Sequence, residues 1–316
     1  GPQGEGGGRG GGGGPSTAGT MFARSRVVQA VSQLPVLMVL SVFGFEWYSH
    51  NVLLAPRVLV QEVGAASALL SAVLFNVAWA LALWSFLRCS LTDPGRVPEE
   101  WRRRNRGYSV LDGEPGGDPS LLHGLRQWRP AVVTTCRHCH QRRPERAHHC
   151  GICQVCVLRL DHHCPWVGNC VGFRNHKFFL LLGAHGCLAC VGLCTSARQQ
   201  LQALVWGGPG LEVLLAKATP REAFAVCFSI MMSLVLGFLL GALFLSNAAL
   251  VAQNKTAIEV NYQGPNPYSL GPLRNAEQLL GSFDLWWFLP VDPARPHCDG
   301  VTFPTRGLSA AAAHSV

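Results

Sequence analysis

Four stretches of this chain are almost wholly apolar, and the polar residues collect between and after them. Val27 to Tyr48 is interrupted chiefly by Gln29, Gln33 and Glu46, with Arg24 and Arg26 before it. Val63 to Leu87 holds Asn76 as its one strongly polar residue, with Trp84 near its end. Phe178 to Ala197 and Ala223 to Ala252 are similarly apolar. Runs of about 20 apolar residues are long enough to cross a bilayer as helices. A signal peptide does not explain the first run, because no small-x-small cleavage site follows it. The pattern predicts four membrane helices.

Polar segments complete the outline. Residues 1–20 are Gly-rich and expected to be disordered, and Met21 is a candidate initiator. Residues 21–95 would hold the first two helices, 177–252 the last two, and 253–316 a cytosolic tail ending in an Ala-rich, disordered stretch. Between the helix pairs, 96–176 opens with an Arg-rich, Gly/Pro-punctuated linker from Trp101 to Gly117. Asp93-Pro94-Gly95 reads as a turn, and 198–222, with Gly207-Gly208-Pro209, as a loop. No internal repeat stands out.

Composition agrees with membrane segments. The chain is 48% hydrophobic and only 14% charged, against about 25% charged in soluble domains. The segment 88–177 carries 15 of the 26 lysines and arginines, and the two loops on the opposite side carry only Arg57, Arg198, Lys217 and Arg221. The positive-inside bias therefore assigns 88–177 to the cytosol. The net charge of +8 reflects basic loops, so nucleic acid is not an expected partner.

The chemistry is concentrated in one block. Seven of the thirteen cysteines lie between Cys136 and Cys170, as Cys136-x2-Cys139, His149-Cys150-x2-Cys153-x2-Cys156 and Asp161-His162-His163-Cys164-x5-Cys170. Cys-x2-Cys units with interspersed histidines are metal spacing and not a disulfide framework. Two closed tetrahedral zinc sites need eight ligands. Six cysteines and two histidines supply them and leave one cysteine over. Cys164 is the candidate spare, because Asp161 and His162 precede it, and such a pair can hold an imidazole in one tautomer and deprotonate a nearby thiol. The competing reading makes all seven cysteines ligands.

Asp161-His162-His163-Cys164-Pro165-Trp166, Asn169-Cys170-Val171-Gly172 and Arg143-Pro144-x-Arg146-Ala147-His148-His149-Cys150 closely resemble the DHHC-type protein S-acyltransferases. The resemblance implies an α-helical integral membrane protein, with a cytosolic Cys-rich zinc-binding domain between helices 2 and 3. It implies two-step transfer of a long-chain acyl group, such as palmitoyl, from acyl-CoA through Cys164 to substrate proteins with membrane-proximal cysteines. His162 would be the base and Asp161 its orienting carboxylate. One structural zinc would take Cys136, Cys139, His149 and Cys156, and the other Cys150, Cys153, His163 and Cys170. From spacing alone, two sequential sites count equally well. Arg143, Arg146 and His148 match positions near the CoA headgroup, and arginine suits phosphate. Membrane lipid would be a further partner. Family members reside in the Golgi, the endoplasmic reticulum or the plasma membrane.

Two segments beyond the block bear on the same reading. Asn254-Lys255-Thr256-Ala257-Ile258-Glu259 resembles the family's Thr-Thr-x-Glu motif with Ala257 in place of the second threonine. The Thr256 hydroxyl is expected to brace the reactive segment. Asn266-Pro267-Tyr268 is a weaker match to an Asn-aromatic motif. Gly183, Gly186 and Ala189 share one face of the third helix, which either lines an acyl cavity or lets helices approach. Leu285-Trp286-Trp287-Phe288 fits either a membrane interface or a packed surface. The rival functions are a non-catalytic scaffold, a transporter, which would show paired charges within its helices, and a metallohydrolase, which would need an open metal position.

Overall fold

The computed structural model describes residues 26–105, 127–293 and 296–306. The Gly-rich start, most of the Arg-rich linker and the Ala-rich end lie outside the described residues. Among those described, three helices are long and apolar enough to span a membrane: α3 (Ala65–Leu91), α5 (His176–Ser196) and α8 (Pro220–Ala252). At 1.5 Å per residue, they reach about 40, 32 and 50 Å, against a hydrocarbon core of about 30 Å.

The first apolar run forms α1 (Arg26–Tyr48), which contains Pro35 and is not one of those three helices. It continues without a turn into a wider π-helical winding, Ser49–Leu59, around Pro56, and a short α2 (Val60–Val63). Its polar residues are used inside the bundle. Ser229 and Ser233 donate to Glu46 Oε2 at 2.6 and 3.0 Å, and Asn76 Nδ2 donates to Asn51 Oδ1 at 2.7 Å.

The helices pack through small residues. A Cβ at Gly186 would come within 2.8 Å of Leu240 Cδ1, and one at Gly183 within 3.3 Å of Phe244. These glycines therefore serve the close approach of α5 to α8 and do not line a cavity. The stretch 198–222 is helical and not a loop: α6 (Arg198–Trp206) and α7 (Pro209–Lys217) flank the predicted Gly-Gly-Pro turn. α8 opens with a capping box in which Thr219 and Glu222 satisfy each other's backbone N–H groups, with Pro220 at the first helical position.

The Cys-rich block folds as three two-stranded antiparallel hairpins. They are β1 (Thr134–Thr135) with β2 (Arg142–Arg143), β3 (His148–Cys150) with β4 (Val155–Val157), and β5 (His162–Cys164) with β6 (Asn169–Val171). The last two repeat one design. His149 faces Cys156 in the first, and His163 faces Cys170 in the second. The repeat was hidden in the sequence because each unit is only about ten residues long.

The block is anchored to the helix ends. Asp93 Oδ1 accepts from the Gly95 and Arg96 amides at 2.8 Å each, and Gly95, with φ of 103°, turns the chain. The turn then bonds the block through Leu158 N to Gly95 O at 2.7 Å. A short α4 (Glu99–Arg104) follows. After α8, the chain turns at Asn254, and α9 (Pro272–Leu280) then packs against α8 and the start of α5.

Candidate active site

None of the thirteen cysteines is in a disulfide. Eight residues of the block form two groups: Cys136, Cys139, His149 and Cys156, and Cys150, Cys153, His163 and Cys170. Within each, the ligand atoms lie within 4.8 Å of one another. The grouping is interleaved, because each hairpin sets its central His opposite its central Cys while Cys150 points to the neighbouring hairpin. A tetrahedral zinc with arms of about 2.3 Å sets its ligand atoms about 3.8 Å apart. Cys139 Sγ and Cys156 Sγ are 3.7 Å apart, and Cys156 Sγ and His149 Nδ1 are 3.8 Å apart. In the second group, Cys150 Sγ is 3.8 Å and Cys170 Sγ 3.6 Å from His163 Nδ1. Three sulfurs and one nitrogen at these spacings fit a closed structural zinc in each group.

Cys164 belongs to neither group. It occupies the place in β5 that Cys150 occupies in β3, directly across the hairpin from Asn169. The Asn169 side chain donates to the carbonyls of Cys89, Ser90 and Thr92 at 3.1, 3.1 and 2.9 Å. Those are orphan carbonyls at the end of α3, so the thiol is held against the mouth of the helix bundle. Cys164 is buried there with Phe86, Cys89, Phe178 and Phe179, beside Phe43 of α1 and Leu243 of α8.

Two polar residues act on the thiol. His162 Nδ1 lies 2.8 Å from Asp161 Oδ2, and its ring meets Phe179 edge-on. Burial opposes a charged imidazole, but the hydrogen bonds to Asp161 and Cys164 outweigh it and raise the His162 pKa to about 9. Burial also opposes the thiolate, yet the His162 hydrogen bond and the Val167 and Trp166 amides bring the Cys164 pKa below its ordinary value. Asp161 itself is buried, and its bond to His162 with the amide of Ala257 holds it well below the usual carboxylate range. Both shifts favour passage of the Cys164 proton to His162, with Asp161 as the fixed counter-ion.

The three basic residues expected near a CoA headgroup separate. Arg143 Nε donates to Thr134 Oγ1 at 3.0 Å, on a half-buried strand. His148 lines an open pocket of about 420 Å³ with Asp161, Ala257, Ile258 and Tyr262. Its Nε2 is buried without a partner, and burial together with the Arg143 charge lowers its pKa to about 4.

Arg146 is a correction. Its side chain is 2% exposed and bidentate to Glu259, at 2.8 and 2.7 Å. Nη1 donates to Asn254 Oδ1 and Nη2 also to Asn254 O, and Tyr268 and Phe303 cover its faces at 4.7 and 4.6 Å. Four of its five N–H groups are spent inside the protein, which leaves no bidentate fork for a phosphate. Burial alone would raise the Glu259 pKa, but the Arg146 charge brings it below its ordinary value.

Sequence reasoning gave no role to Glu145 and none to the pairing of Asn254 and Glu259 with Arg146. Glu145 accepts from Tyr268 Oη at 2.7 Å and Phe303 N at 2.8 Å. The only signal was that these polar residues flank recognised motifs.

A family model described as DHHC palmitoyltransferase matches residues 133–263. The chain is 32% identical over 311 residues to probable protein S-acyltransferase 13 of Arabidopsis thaliana, covering 92% of this chain and 97% of that one. It is 30% identical over 308 residues to palmitoyltransferase ZDHHC2 of Mus musculus, covering 92% and 80%. Human palmitoyltransferase ZDHHC15 is 28% identical over 297 residues, covering 89% and 84%. With the thiol, imidazole and carboxylate gathered at the helix mouth and two metal-type groups behind them, the chain belongs to the DHHC palmitoyltransferase family.

Proposed function

We propose that this protein is a membrane-bound protein S-acyltransferase in which Cys164 carries the acyl group as a thioester. The observation that carries this reading is the hydrogen-bonded series Asp161–His162–Cys164, in which the thiol stands outside both metal-type groups. In the resting pair, the thiol proton resides on His162. The thiolate attacks the acyl-CoA carbonyl, the carbon–sulfur bond to CoA breaks, and the leaving thiolate takes the His162 proton. A substrate cysteine then gives its proton to His162 as its sulfur takes the acyl group, and Cys164 returns to thiolate. A thioester is exchanged for a thioester at each step, so the demand is for positioning rather than energy.

Two structural zincs would be held by the eight grouped residues, supplying rigidity to the reactive hairpin. CoA phosphates would meet Arg143, with His148 lining the pocket beside Asp161. The acyl chain would enter the helix bundle past Phe86 and Phe179. α1 would complete a four-crossing bundle, with both termini and the Cys-rich block cytosolic, as the distribution of lysine and arginine supports. A purely scaffolding role gives no reason for a carboxylate-backed imidazole on an unligated thiol. The test is transfer of alkyne-tagged palmitate from its CoA ester to a cysteine peptide by the reconstituted protein. Absence of hydroxylamine-sensitive label on both protein and peptide would refute the reading.

A further inference from the structure

The turn that follows α9 exposes large apolar side chains beside the membrane helices. Phe283 is 63%, Leu285 81%, Trp286 47% and Phe288 58% exposed. Four such side chains within six residues form a patch that water disfavours. Trp287 faces the other way. It packs on Val251, Leu279 and Leu280, and its indole donates to the Gly281 and Ser282 carbonyls at 3.0 Å. The segment therefore has a docked side and an open side.

Its height is set by two ties. Arg88, in the last turn of α3, donates to Pro290 O at 3.2 Å and to both Asp292 oxygens at 2.9 and 2.8 Å. Lys177, in the first turn of α5, donates to Trp286 O and Val291 O at 2.7 and 2.8 Å. Both ties reach the helix ends, Arg88 in the last turn of α3 and Lys177 in the first turn of α5, so the turn lies beside those ends. The lipid-facing side of α3 continues the patch, with Leu87 40% and Leu91 81% exposed around Arg88. Arg88 and Lys177 keep their charges supplied with oxygen acceptors at this depth, as cations do at a membrane boundary.

We propose that Phe283–Phe288 is sunk into the cytosolic leaflet, with Phe283, Leu285, Trp286 and Phe288 in contact with lipid. The inference rests on the reading of α3, α5 and α8 as membrane-spanning. Trp and Phe at this depth act as interfacial anchors. They hold the docked C-terminal segment, and with it the Arg146–Glu259 joint, at a fixed height above the bundle.

The test uses the full chain in phosphatidylcholine nanodiscs and in native membranes, with p-benzoylphenylalanine replacing one residue at a time: Leu285, Phe288, Leu74 or Gln141. Leu74 is 62% exposed on α3, and Gln141 is exposed on the β1–β2 hairpin. After irradiation, phospholipid adducts are counted by mass. The expected result is lipid adducts at 285 and 288 at a yield within about threefold of position 74, and at least about tenfold above position 141. Adducts at 74 with none at 285 and 288 would overturn the proposal alone. No lipid adducts at 74 would overturn the membrane reading and the proposal with it. Crosslinks from 285 and 288 to a protein in native membranes, in place of lipid, would assign the patch to a protein partner and overturn the proposal.

Discussion

The backbone N–H of Ala257 donates to Asp161 Oδ1 at 2.8 Å. This bond ties the segment after α8 to the reactive hairpin. The expected brace, the Thr256 hydroxyl, points elsewhere: Thr256 Oγ1 accepts from the Glu259 amide at 3.3 Å. A backbone donor does not depend on its side chain, which explains how alanine stands where the family has threonine. The Ala257 side chain is exposed, so a threonine there has room.

Ala257→Thr is therefore expected to leave acyl-enzyme formation within about twofold of wild type. Ala257→Pro removes the donor to a carboxylate, a bond of about 1.5–3 kcal/mol, and is expected to slow acylation roughly tenfold to a hundredfold. Thr256→Ala removes one neutral bond of about 1 kcal/mol and should lower stability more than rate. Single-turnover acylation at equal folded concentration checks all three.

Arg146 and Arg143 are expected to fail differently. Arg146→Ala leaves Glu259 charged, buried and unpaired, which costs about 3–5 kcal/mol. It should lower the melting temperature sharply and leave the KM for palmitoyl-CoA of the surviving folded enzyme near wild type. Arg143→Ala should raise that KM while the melting temperature holds. Thermal unfolding beside steady-state kinetics separates the two. Equal KM effects with unchanged melting would return Arg146 to the headgroup.

The adjacent histidines divide two tasks. His163 Nδ1 lies among the sulfurs of Cys150, Cys153 and Cys170, and His162 Nδ1 lies on Asp161. His163→Ala is expected to release one zinc per chain. His162→Ala is expected to retain both and to slow acylation by about a hundredfold or more. Zinc counting by elemental analysis, with acylation rates, tests this. Like behaviour of the two variants would contradict the division.

Much of this site was legible because its determinants are local. Metal spacing exposed the Cys-rich block, and apolar runs placed α3, α5 and α8 within a few residues of their ends. The misplaced parts depend on distant partners. Arg146 looks like a phosphate ligand until Glu259, 113 positions away, closes on it. The 198–222 stretch reads as loop because its two helices are short and separated by Gly-Gly-Pro, and their apolar sides find partners only in the assembled bundle. The Gly183 and Gly186 face was ambiguous because smallness serves a cavity and a tight contact equally. The contact with Leu240 and Phe244 of α8 decides it.

The central claim is that Cys164 is the acyl carrier and no metal ligand. The most direct measurement is intact-protein mass and zinc content of the purified chain and its Cys164→Ser variant, each after incubation with palmitoyl-CoA. The account predicts one hydroxylamine-labile acyl adduct on the wild type, none on the variant, and about two zincs per chain on both. An unchanged adduct on Cys164→Ser, or loss of one zinc from it, would contradict the account.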